Sequence, residues 1–118
     1  MNKTDIDTET KQLLMLAKED ILVRTIWSLS HEQKATPLFR EIGQQRYLSS
    51  LRTGGIDNAE MVKTAFTIDP FFLKSKLVMD AAKVGFHFQI ESGHKEIAEK
   101  IKKIMDIGDD CIIPEIGE

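Results

Sequence analysis

Apolar residues recur along this chain at helical spacing, but the width of the apolar face differs from one segment to the next. In residues 94–107, Ile97, Ala98, Ile101, Ile104 and Met105 fall within one arc of about 120°, the width of a surface helix. Lys95, Glu96, Glu99, Lys100, Lys102 and Lys103 hold the other side, with Glu96–Lys100 and Glu99–Lys103 at i,i+4. This segment reads as a lid on the core whose lysines form a solvated face. From Pro70 onward the pattern is the opposite. Phe71, Phe72, Leu73, Leu77, Val78, Met79, Ala81, Ala82 and Val84 surround most of a helix. They leave a narrow polar stripe of Lys76, Asp80 and Lys83, with Lys74 snorkelling out of the apolar arc. Such a helix is predicted to be central, with Phe71 and Leu77 among the side chains whose loss does most damage.

Two further segments are apolar on more than one side. Residues 8–29 carry three rows: Met15, Leu22 and Ile26; Leu16, Val23 and Trp27; Leu14, Ala17 and Ile21. Asp20 and Arg24 give them one wet edge. In the segment from Pro37, Leu38, Phe39 and Ile42 face away from Tyr47, Leu48 and Leu51, and the switch falls at Gly43. Arg40, Arg46 and Arg52 recur every six residues, about 240° apart, so they form no stripe. The first helix and the helix from Pro70, both apolar on several sides, leave room for a second chain to complete one of them, in a dimer or a complex.

Helix start and stop signals divide the chain. Asp7 or Thr8 can cap the first helix, Ser30 with Gln33 makes a capping box, and Thr36-Pro37 opens the next helix, which Gly54-Gly55 ends. Asp57 with Glu60, and Ile56 against Met61, mark another start; Asp69-Pro70, with Ile68 against Leu73, repeats the device. Ser92 can start the last helix and Gly108 stop it. The fold predicted is all-α, a single compact bundle of about five helices over 8–29, 37–52, 58–67, 70–91 and 94–107. A short helical turn falls at 31–35, and the one domain spans 1–118, with 1–7 and 109–118 as terminal extensions. No internal repeat, low-complexity block or linker is visible. The stretch VGFHFQIESGH, which alternates like a strand, continues the helix from Pro70 to about Glu91. In that reading Gln89 is misplaced, and Gly85, costing about 1 kcal/mol relative to alanine, marks a bend.

Composition narrows the class. A chain of 118 residues with 42% hydrophobic and 30% charged residues can bury a core unaided. The lone Cys111 cannot close an internal disulfide, and the start MNKTDIDTET lacks a secretory apolar run, so a cytoplasmic protein is expected. The most apolar run, Leu13 to Leu29, holds Lys18, Glu19, Asp20 and Arg24, which a bilayer would reject. Net charge is -3, but residues 106–118 hold five acids and no Lys or Arg. The rest is close to neutral, without the concentrated basic face of a phosphate-backbone binder.

Reactive chemistry finds little support. His31, His87, His94 and Cys111 show no helical i,i+3 or i,i+4 spacing, no Cys-x-x-Cys pair and no His-Glu-x-x-His run. No metal, cofactor or small-molecule substrate is evident, and no enzyme is expected. Residues 58–67 followed by the helix from Pro70 have helix-turn-helix dimensions, yet the reading helix would open Pro70-Phe71-Phe72-Leu73, where base contacts need polar groups. The segment IESGHKEIAEKIKKIMDIGDD resembles the second helix of an ankyrin repeat in Ser92-Gly93-His94-x-Glu96-Ile97 and Gly108-x-Asp110. It covers about 20 residues; the Thr-Pro-Leu-His turn of that family is missing and nothing repeats at 33 residues, so it reads as shared capping chemistry.

The function expected is therefore a non-catalytic intracellular protein-binding module: an adaptor, chaperone-like partner, inhibitor or immunity-type protein. Its interface residues are expected to be Leu16, Val23 and Trp27, with Ile112, Ile113 and Ile116 of the apolar, acidic C-terminal segment. The alternative is a small helical DNA-associated regulator, although nucleic acid is disfavoured by charge.

Overall fold

The computed structural model describes residues 6–108 and places them in eight helices, with no strand among the described residues. These are α1 (Thr8–Leu16), α2 (Glu19–Ser28), α3 (His31–Lys34), α4 (Pro37–Arg52), α5 (Ile56–Phe66), α6 (Pro70–Leu73), α7 (Lys76–Glu91) and α8 (Lys95–Ile104). The all-α class agrees with the sequence, and so do several caps. Asp7 accepts from the Thr10 amide, Ser30 and Gln33 close a reciprocal capping box, and Thr36 accepts from the Phe39 amide ahead of Pro37. Asp69 accepts from the Phe71 amide ahead of Pro70.

The helix count rises from five to eight because two expected helices are interrupted. Residues 8–29 break at Ala17 and Lys18, both extended. The carbonyls of Leu14 and Ala17, freed by the break, accept from the Arg46 guanidinium at 2.9 and 2.5 Å. Residues 70–91 break at Ser75, which is extended and accepts from the Val78 amide through its hydroxyl as the N-cap of α7. Smaller corrections follow the same rule. Helix α5 starts at Ile56 after Gly55, so Asp57 lies in its first turn and pairs with Lys100 of α8 instead of capping. Ser92 closes α7 instead of opening α8, and α8 ends at Ile104, four residues short of Gly108.

The order of elements hides a duplication that the sequence does not display. Ser30 and Asp69, Thr36 and Ser75, Gly54 and Gly93, and Thr67 and Asp106 each stand 39 residues apart and hold equivalent places. The first two pairs cap α3, α6, α4 and α7; the last two sit at positive φ after α4, α7, α5 and α8. Gly55 (φ -84, ψ 70) and His94 (φ -96, ψ 67) likewise precede α5 and α8 with nearly the same backbone. Each positive-φ residue belongs to a Schellman ending, in which the next amide reaches back five residues. The four bonds are Gly55 to Ser50, His94 to Gln89, Ile68 to Lys63 and Ile107 to Lys102, at 2.8–3.1 Å. Thus α6–α8 repeat α3–α5.

Packing follows from the repeat. Helix α1 packs on α2, α4 on α5, and α7 on α8, while α1, α4 and α7 form one layer and α2, α5 and α8 the other. This is a short stack of helical hairpins, the arrangement of α-solenoids. Leu14, Leu22, Leu51, Val62, Val78 and Ile101 are the largest side chains fully enclosed between the layers. Phe39 and Phe66 meet at 4.9 Å between ring centres, and a Cβ on Gly43 would lie 2.6 Å from the Phe66 ring. The apolar switch at Gly43 is therefore a helix–helix contact.

Helix α7 buries the side that its apolar pattern did not single out. Val78, Ala81, Ala82, Gly85 and Gln89 are buried, whereas Phe71 and Leu77, expected at the centre, are 86% and 59% exposed. Small residues let two backbones approach closely, and α4 takes that place. A Cβ on Gly85 would stand 1.8 Å from the Leu51 carbonyl oxygen. Gly85 is an approach point, and α7 passes through it unbroken.

Candidate protein-binding grooves

Two open grooves run along the stack, one in each layer. Between α2 and α5, a cavity of about 870 Å³ is lined by Val23, Ile26 and Trp27 from one side. Met61, Ala65 and Phe66 face them, Phe39 forms the floor, and Glu19, Lys34 and Glu60 stand at the edges. Ile26, Phe39 and Phe66 are buried core residues, whereas Trp27 is 77% exposed. The spacing of Glu19, Val23 and Trp27 places all three along one side of α2. Trp27 thus offers a large amphipathic ring beside a pocket that the described residues leave open.

Between α1 and α4, a cavity of about 430 Å³ is lined by Met15, Leu16, Leu38, Ile42, Gln45 and Ser49, with Lys11, Glu41, Arg46 and Arg52 as its charged groups. Leu16 is 80% exposed there. The row Leu16, Val23 and Trp27, expected as one surface, is therefore divided. The break at Ala17-Lys18 sends Leu16 to the α1–α4 groove and leaves Val23 and Trp27 in the α2–α5 groove. Ile112, Ile113 and Ile116 lie outside the described residues.

Several polar residues that fix these surfaces escaped the sequence pattern. Arg46 closes the C-terminal end of α1. Gln89, buried on α7, donates to the Thr53 and Gly54 carbonyls at 3.4 and 3.2 Å and accepts from His94 Nδ1 at 2.8 Å. Tyr47 reaches the Met105 sulfur at 3.9 Å from the α4 side of the inter-layer space. Burial pushes the Tyr47 phenol up to about 12, with the Glu60 carboxylate adding to the effect. Burial alone pulls the Arg46 guanidinium down. None of these residues belongs to a motif. Their roles depend on which helices become neighbours.

Among the described residues no group of three or more His, Cys, Asp or Glu could hold a metal ion. No described helix is long and apolar enough to cross a membrane. The would-be reading helix after α5 is a single turn, Pro70–Leu73, with α7 beginning only after another cap. Comparison with known proteins finds no matching family model, no similar curated protein and no similar solved structure.

Proposed function

We propose that this chain is a non-catalytic protein-binding module that receives apolar side chains of a partner in the α2–α5 groove. One observation carries the reading: Trp27 is 77% exposed at the edge of an apolar cavity of about 870 Å³. Tryptophan is the residue type most enriched where interface energy concentrates, and an aromatic anchor beside an open pocket is the form such sites take. Charged Glu19, Lys34 and Glu60 at the edges supply the polar rim that surrounds an apolar interface core. The lone Cys111 is in keeping with a cytoplasmic setting.

The test is site-specific photo-crosslinking in cells. A photoreactive residue at Trp27 should capture a discrete species, while the same residue at exposed Lys95 on α8 should not. Equal capture at both positions, or none at Trp27, would dispose of the groove as the binding surface. Light scattering on the purified chain then tells whether the captured species is a second copy.

A further inference from the structure

The α1–α4 groove sets an excess of cations beside an apolar wall, and we propose that it binds a peptide segment combining apolar residues with carboxylates, supplied by a partner protein. This surface is separate from the Trp27 groove and stands or falls without it. Its apolar wall is Met15, Leu16, Leu38 and Ile42; its cations are Lys11, Arg46 and Arg52, against the single carboxylate of Glu41. Among the described residues, none of these three cations has a carboxylate within 4.0 Å. Arg46 is half-buried and, among the described residues, donates only to two neutral carbonyls, those of Leu14 and Ala17, with no carboxylate to balance its charge.

The stack itself does not require that charge. Where α7 packs on α4, the position 39 residues beyond Arg46 is Gly85, and the Thr53 and Gly54 carbonyls just past α4 are met by neutral Gln89. The molecule therefore contains an uncharged solution to the same junction, yet places a guanidinium at the other. A partly desolvated guanidinium is best satisfied by a carboxylate, which it can grip with two parallel bonds.

Shape and polarity narrow the ligand further. From Leu38 to Arg52 the groove follows α4 for roughly 21 Å, the span of six or seven extended residues. Glu41 lies in the first half of α4, with Arg46 and Arg52 in the second. A bound segment would thus set its apolar residues near Leu16, Leu38 and Ile42 and its carboxylates toward Arg46 and Arg52. Nucleic acid fits less well, since phosphates have no use for the apolar wall.

The probe is a panel of fluorescein-labelled heptapeptides of leucine and glutamate, in which the order of the two residues is permuted. Fluorescence anisotropy is read against the full chain at low and moderate salt. Peptides with leucines leading and glutamates following, in one direction or the other, should bind, and binding should weaken as salt rises. Replacing every glutamate by glutamine should weaken it at least about tenfold, as should Lys11→Glu with Arg52→Glu, two exposed positions whose reversal leaves the fold intact by circular dichroism. Trp27→Ala should leave it unchanged. The proposal is overturned if no acidic peptide binds, if the glutamine peptides bind equally, or if the charge reversals have no effect. It is also overturned if the chain self-associates and Leu16→Asp abolishes that association, since a second copy would then occupy the groove.

Discussion

The two junctions in the layer of α1, α4 and α7 meet one problem with opposite materials. The chain leaving α1 and α4 carries carbonyls that lack intrahelical partners, and the next helix in the stack meets two of them at each junction. Where α7 meets α4, contact is made by removing matter. Gly85 leaves room for the Leu51 carbonyl, and Gln89 bonds the Thr53 and Gly54 carbonyls from one turn further along. The Gln89 amide oxygen can only accept, so the His94 nitrogen facing it carries the proton, tying the start of α8 into the same junction. Where α4 meets α1, contact is made by adding matter, the long Arg46 side chain. A close backbone approach carries no charge but tolerates no side chain. A long cation spans a wider gap and tolerates change, at the cost of a partly buried charge.

The largest effect should come from filling the close junction. In Gly85→Ala the new Cβ would fall 1.8 Å from the Leu51 carbonyl oxygen and 3.0 Å from the Gly54 nitrogen, both backbone atoms. Neither can rotate aside, so α4 and α7 must separate. The expected loss is at least about 3 kcal/mol, above the helix-propensity gain that alanine brings elsewhere. Chemical denaturation measures it. A variant as stable as the parent would mean that the junction is looser than this packing requires.

Arg46→Ala should cost less, about 2–3 kcal/mol, because it removes two charge-assisted bonds and leaves the Leu14 and Ala17 carbonyls to water. Arg46→Lys should recover part of the loss, since an ammonium can reach one carbonyl but cannot fork between two. The damage should be local. Hydrogen exchange should accelerate in α1 well before α7 and α8, and a uniform acceleration would contradict separate junctions.

The contrast between the junctions also explains how much the sequence could reveal. Capping is local chemistry, so Ser30 with Gln33, Thr36-Pro37, Asp69-Pro70 and Gly54 were legible, and with them the all-α class. The break at Ala17-Lys18 was not, because neither residue is a helix breaker and Lys18 caps with no side-chain bond. The carbonyls it frees are met by Arg46, about thirty residues away. Apolar periodicity also singled out no side of α7. It ranks faces by how much apolar surface they carry, whereas Ala81, Ala82 and Gly85 are buried for how little they carry. The duplication stayed hidden because it is carried by backbone, in the placing of caps and positive-φ residues, while few side chains are shared and those at the junctions differ: Arg46 corresponds to Gly85 and Ser50 to Gln89. At the binding surfaces, Leu16, Val23 and Trp27 were visible as apolar surplus. Their division between two grooves was not, since it depends on the same break.

The correspondence of Tyr47 with Phe86 makes the first copy sensitive to pH where the second is not. The unfolded phenol titrates near 10, whereas burial, and secondarily Glu60, hold the folded one at about 12. The folded state therefore keeps the proton more tightly. That contribution is intact below pH 10 and is lost as pH rises toward 12, by about 1–2 kcal/mol. The informative quantity is the difference from Tyr47→Phe, whose stability should fall less steeply over pH 10–12. Tyr47 is the only tyrosine, and its ionisation can be followed directly in the ultraviolet. A phenol that titrates near 10 in the folded chain would show that the space between α4 and α8 is wet.

The smallest effect should come from the residues that look most important in the sequence. Phe71→Ala and Leu77→Ala remove large apolar side chains from a stretch whose apolar residues surround most of a helix in the sequence pattern, and a buried phenylalanine or leucine lost this way costs about 2–5 kcal/mol. Here the side chains stand in solvent, 86% and 59% exposed, because the Ser75 cap ends α6 after one turn and α7 turns its small residues inward. Each substitution should change stability by less than about 0.5 kcal/mol, smaller than Gly85→Ala by several-fold although alanine there adds a methyl group and here removes a side chain. The comparison is decisive in one experiment, since the three variants differ only within α6 and α7. If Leu77→Ala were the most damaging of the three, α7 would have to be rotated, and the close approach of Leu51 to Gly85 could not exist.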